Sequence, residues 1–120
     1  MNRREAKTVP VHELPTVLVV GCSRDFVDRC REGAAKTGAI VRATDLSGAE
    51  TMASTCHPLA MVLTAKHYRD NQVRFDELAA SAQSTLVQVS GEEVSQDELE
   101  GLVVTAVTEA RRRRSSLPPA

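Results

Sequence analysis

The chain has no tryptophan, and aromatic residues make up only 2% of its 120 positions. A core without large rings has to be filled by Val, Leu, Ala and Met, so that each methylene counts in the packing. Charge of one sign is also lacking. Fifteen Lys and Arg against sixteen Asp and Glu leave a net charge of −1, which excludes a globally basic protein that coats nucleic acid. No apolar run approaches the roughly 18–20 residues that cross a bilayer, so membrane insertion is not expected. The opening MNRREAKTVPVHELP has charge but no apolar stretch of signal-peptide type, and the expected location is cytoplasmic. Three cysteines, an odd number, fit a reducing compartment better than a disulfide scaffold.

What is present is a regular alternation. Four short apolar runs, TVLVVG (16–21), AIVRA (39–43), PLAMVLT (58–64) and STLVQVS (84–90), alternate with helical patterns. That order predicts an α/β fold with an open, mostly parallel, doubly wound sheet of four strands flanked by helices, in the order 2-1-3-4. Residues 1–15 read as a flexible lead-in, residues 16–113 as the folded domain and 114–120 as a disordered tail. The first helix is expected over about 24–37 with Gly38 as its C-terminal cap. Ser47 and Glu50 have capping-box spacing before a second helix, and residues 66–70 read as a loop before a helix over 71–82. A second capping box, Ser95 and Glu98, opens a final helix in which Leu99, Leu102, Val103, Ala106, Val107 and Ala110 recur at helical spacing.

In open sheets of this kind function gathers at the C-terminal strand ends. Those ends carry Gly21, Cys22 and Ser23, then Thr64, then Ser90, with no carboxylate among them. Mg²⁺ requires hard oxygen ligands, usually including a carboxylate, and a hydroxyl is a poor nucleophile without a neighbouring base. Asp25 falls in the first helical turn, where an acid has a structural reason to be. Cys22 lies between a strand and a helix, as in phosphatase loops. Those need Cys-x5-Arg, however, and six residues separate Cys22 from Arg29. A metal site joining Cys22 to Cys56 and His57 would have to span the length of a strand. No metal and no cofactor are expected.

The segment VLVVGCSRDFVDRCREGAAKTGAIVRATD, the helix after it, and HPLAMVLT resemble a response-regulator receiver domain over roughly residues 16–90. In that family two acidic residues stand where this chain has Gly21 and Cys22, and the phospho-accepting Asp stands where it has Thr64. Ser90 matches the family's Ser or Thr, and no fifth strand with its terminal Lys is found. The resemblance implies a receiver-like or flavodoxin-like pseudo-receiver that lacks the last βα unit, with Gly21, Cys22, Thr64 and Ser90 as degenerate phosphorylation-site positions. It also implies a non-catalytic, phosphorylation-independent protein–protein interaction module in bacterial signalling. The expected partner is a protein, with a homodimer as one form, and the candidate interaction surface is Lys66, His67, Gln88, Leu99 and Val103. Leu86-Val87-Gln88-Val89 has no charge or proline to protect it as a sheet edge. The competing expectation is a small-molecule or redox sensor, or a small enzyme, that uses the Cys22/Thr64/Ser90 cleft. A stand-alone assembly subunit is the third.

Overall fold

The computed structural model describes residues 15–115. The expected lead-in, apart from Pro15, and the end of the expected tail, from residue 116 onward, lie outside the described residues. Within them the strands are β1 (Thr16–Val20), β2 (Ile40–Thr44), β3 (Ala60–Thr64) and β4 (Thr85–Val89). They form one parallel sheet in the order β2-β1-β3-β4. The helices are α1 (Arg24–Lys36), α2 (Ala49–Cys56), α3 (Ala65–Asp70), α4 (Gln72–Ala82) and α5 (Gln96–Ser115).

β1 is buried at all five positions, which explains why its sequence shows no polar alternation: a central parallel strand is covered on both faces. Val17, Val19, Val62, Val87 and Val89 point to the layer formed by α1 and α5, where Phe26, Cys30, Val103 and Val107 meet them. Leu18, Val20, Met61 and Leu63 point to the other layer, against Ala53, Phe75 and Leu78 of α2 and α4. The chain's two phenylalanines thus anchor opposite layers, and smaller, mostly aliphatic side chains fill most of the rest.

Local chemistry sets the helix ends. Ser23 accepts from the Phe26 amide at 3.3 Å and caps α1, and Gly38 turns the chain with φ +75. The expected Ser47 capping box does not form. Asp45 instead caps a short 3-10 turn over Leu46–Gly48, accepting from the Gly48 amide at 2.9 Å and from Ser47 Oγ at 3.0 Å, and α2 follows from Gly48 with no side-chain cap of its own. Residues 65–70 are helix rather than loop, because Thr64 at the end of β3 caps them through the His67 amide at 3.4 Å. Ser95 accepts from the Glu98 amide at 3.2 Å, the expected contact at the start of α5.

The arginine run at the end of α5 secures the opposite edge of the sheet. Arg114 Nη2 lies 2.8–3.3 Å from the carbonyls of His57, Pro58, Ala82 and Gln83. One guanidinium nitrogen therefore ties together the ends of α2 and α4 and the approach to β3. Arg111 donates to the Thr37 carbonyl at 2.6 Å and Arg113 to Thr85 Oγ1 at 2.5 Å.

Candidate functional site

The parallel register brings Gly21 and Cys22, Thr64 and Ser90 to one edge of the sheet, as the sequence predicts for strand ends. All but Ser90 are committed to structure there. Gly21 has φ +69, and a Cβ at that position would stand 3.0 Å from the His67 ring, so a side chain there would be strained and would crowd His67. His67 Nε2 sits 3.1 Å from the Gly21 carbonyl, which joins α3 to the end of β1. Thr64 Oγ1 is spent on capping α3, and Ser90 is exposed. Lys66 faces solvent and pairs with Asp70 at 3.3 Å, one helical turn on.

Cys22 is half-buried, and its thiol donates to the Val20 carbonyl at 3.5 Å. Burial, helped by the charge of Glu92, pushes its pKa up to about 12. A helix N-terminus favours a thiolate, but here desolvation wins and Cys22 is a neutral thiol. The N-terminus of α1 already carries an anion of the chain's own. Glu92 accepts from Ser23 Oγ at 2.5 Å and from the Ser23 amide at 3.1 Å, the donors that an incoming phosphate would need. Arg29 holds this closure in place, donating to the Glu92 carbonyl at 2.7 Å, to Gln96 Oε1 at 2.9 Å and to the Val94 carbonyl. Among the described residues no group of three or more His, Cys, Asp or Glu side chains is placed to hold a metal ion.

The thiols give the fold a definite response to alkali. Burial raises the pKa of Cys22 and of Cys30 to about 12 and raises that of Cys56 as well. The unfolded chain releases these protons near 9, whereas the folded chain keeps them until far higher pH. Their contribution is therefore fully present below about pH 9 and is lost as pH rises from there toward 12. Urea unfolding at pH 7 and at pH 10 should show a lower midpoint at pH 10. An unchanged midpoint would mean that the thiols are not held neutral by the fold.

The other surface expected to interact, around β4 and the last helix, needs correction in part. Leu99 and Val103 are fully buried against the α1 layer and face no partner. Gln88 is exposed on β4, as expected. Beside it runs a groove of about 450 Å³, bounded on the strand by Thr85–Gln88 and on α5 by Glu98, Gly101, Leu102, Thr105 and Glu109 among others. The Thr85 amide donates inward to the Leu59 carbonyl at 2.9 Å. Strand alternation then turns the backbone N–H and C=O of Leu86 and Gln88 outward, and no described strand lies beyond them. Sequence reasoning missed Glu92 and Arg29, whose contacts span more than 60 residues. It could have found the groove from Gly101, a lone glycine within the helical pattern of α5.

Comparison with known proteins corrects the family expectation. No protein-family model and no curated protein matches the chain. Among solved structures it matches the lactose-specific IIB component domain of the phosphoenolpyruvate:carbohydrate phosphotransferase system from Streptococcus pneumoniae. The identity is 16%, over 83% of this chain and 97% of that one, with a TM-score of 0.46. That match is to a phosphotransferase-system domain, not a receiver, and the pseudo-receiver and response-regulator reading is withdrawn together with the signalling role it implied. What the receiver pattern caught was the strand and helix order of an open α/β sheet, which many unrelated functions share. Likeness at this level carries no argument about activity, so the function has to be read from the chain's own surfaces.

Proposed function

We propose that this chain is a non-enzymatic assembly subunit that joins another protein chain through the β4 edge and the adjoining face of α5. The observation that carries the reading is the outward-facing backbone of Leu86 and Gln88 beside the groove. An unpaired strand edge without charge or proline is ordinarily covered or paired, and strand addition is a common mode of protein recognition. β2, at the other side of the sheet, carries Arg42, a charge that discourages edge pairing. The strand-end cleft, by contrast, is largely filled from within: its thiol is neutral, its Thr64 hydroxyl caps a helix, and its helix N-terminus holds Glu92. Among the described residues neither the Cys22 thiol nor the Thr64 hydroxyl has a hydrogen-bonded base to activate it. Among the described residues no helix is long and apolar enough to cross a membrane, and a protein is the partner that the edge fits.

A photo-crosslinking amino acid placed at Gln88, or at Thr105 on the α5 side of the groove, should form discrete protein adducts in cells that produce the full chain. The same group at Arg42 on β2 should form far fewer. Equal crosslinking from all three positions, or none from 88 and 105, would defeat the proposal.

A further inference from the structure

Gly101 lies within the 20-residue α5, where glycine is the least favourable residue after proline. Nothing among the described residues needs it, because a Cβ there would meet none of their atoms within 4 Å. Gly33 is the contrast: a Cβ there would stand 3.1 Å from Glu100 Cα and 3.3 Å from Val103 Cβ, so close packing of α1 on α5 explains it. Gly101 faces the groove. It belongs to a stripe at three- and four-residue spacing, Glu98, Gly101, Thr105, Glu109 and Arg112, every member of which is exposed. The stripe has an acid at its first turn, small residues at its middle and a base at its far end.

We infer, on the basis of the edge-pairing function proposed above, that the chain on the other side of the groove is a second copy of this one. The two copies are related by a two-fold axis perpendicular to the sheet. That symmetry sets β4 antiparallel to its counterpart and lays the two α5 helices antiparallel on the same side of the joined sheet. Pairing centred on Thr105 puts Glu98 of each copy opposite Arg112 of the other. It also sets Gly101 opposite Glu109, where the missing side chain gives the longer one room. Glu98 and Arg112 then attract at both ends of the helix pair, whereas a parallel arrangement would bring like charges together. Leu86 and Gln88 supply the backbone donors and acceptors that join the two edges. The net charge of −1 opposes self-association only weakly.

Light scattering on the purified full chain across a concentration series, at low salt, tests this. The wild type should reach twice the 13.0 kDa of one chain. Glu98→Lys and Arg112→Glu should each weaken association about tenfold or more, since each change places like charges at both ends of the pair. Mixing the two variants should restore the doubled mass, because every facing pair is then again of opposite sign. Gly101→Leu, at a position open in the single chain, should keep the helical circular dichroism and abolish the doubled mass. A chain that stays monomeric at millimolar concentration overturns the inference. So does a doubled mass that both charge variants retain, or one that mixing does not rescue. If the purified chain is monomeric while the group at Gln88 crosslinks to a different protein, the self-pairing falls and the assembly function stands. If that group links only to residues 1–14 of its own chain, both fall.

Discussion

Near pH 8, iodoacetamide should modify Cys22 on the order of a thousandfold more slowly than it modifies an ordinary free cysteine, because the thiolate is the attacking species. A thiol with its pKa pushed up to about 12 is almost wholly protonated there. Burial is the larger cause and the charge of Glu92 the smaller, so Glu92→Gln should recover only part of the difference. Site-resolved mass spectrometry of time-quenched samples measures the rate at Cys22 apart from those at Cys30 and Cys56. A rate equal to that of free cysteine would show a thiolate at the α1 N-terminus and would reopen the strand-end edge as a nucleophilic site. The result bears directly on the choice between a chemical and an assembly role, because Cys22 is the most reactive residue type that the strand ends present.

The parts of the fold legible in the sequence were those fixed by short-range pattern. Val17–Val20 and Ala60–Leu63 are continuous apolar runs because both sheet faces are covered at those strands, and the run itself announced the burial. The final helix was legible for the same reason, since Leu99, Val103, Ala106, Val107 and Ala110 form one buried stripe. The end of α2 was not, because that helix stops on His57, a non-glycine residue with φ 45. α4 ends at Ala82, where its spacing predicts, although it too stops on a non-glycine residue, Gln83 with φ 55. The short α3 reads as a loop in the sequence because AKHYRD is polar, and the helix buries none of its residues; only the cap by Thr64 shows its start. Candidate-site residues were found by position but misjudged by role. The strand-end rule led to Gly21, Cys22, Thr64 and Ser90, yet what closes that edge arrives from Glu92 and Arg29, which no local pattern connects. Leu99 and Val103 read as surface candidates beside the strand edge although their spacing equally fits a core face, and packing against α1 decides it. The receiver resemblance failed for a related reason: strand and helix order is set by the sheet's geometry and says nothing about which side chains stand at its edge.

Replacing Arg29 by Met should cost on the order of 3 kcal/mol of stability, because several charge-assisted hydrogen bonds go at once and leave carbonyls without their donor. The guanidinium reaches the carbonyls of Glu92 and Val94 and the side chain of Gln96, while Gln96 returns a bond to the Arg29 carbonyl at 3.1 Å. These contacts pin residues 92–95, between β4 and α5, and Gln96 at the start of α5 onto α1. Methionine keeps the apolar stem beside Phe26, over whose ring the guanidinium stands at 5.9 Å, so the loss reports the polar clamp rather than a cavity. The urea midpoint should fall, and amide exchange should quicken first in residues 91–95. The change should also reach Cys22: with its loop released, Glu92 no longer holds a fixed place at the Ser23 amide, and alkylation should speed up as solvent enters. A stability loss below about 0.5 kcal/mol, within the range of ordinary surface substitutions, with loop protection unchanged, would show that the edge is closed by something other than this clamp. Faster alkylation with stability intact would separate the two roles instead. Arg29 would then govern access to the strand ends while the helix contacts alone hold α5 in place, and the closed edge would be a gate that a partner on α5 could move.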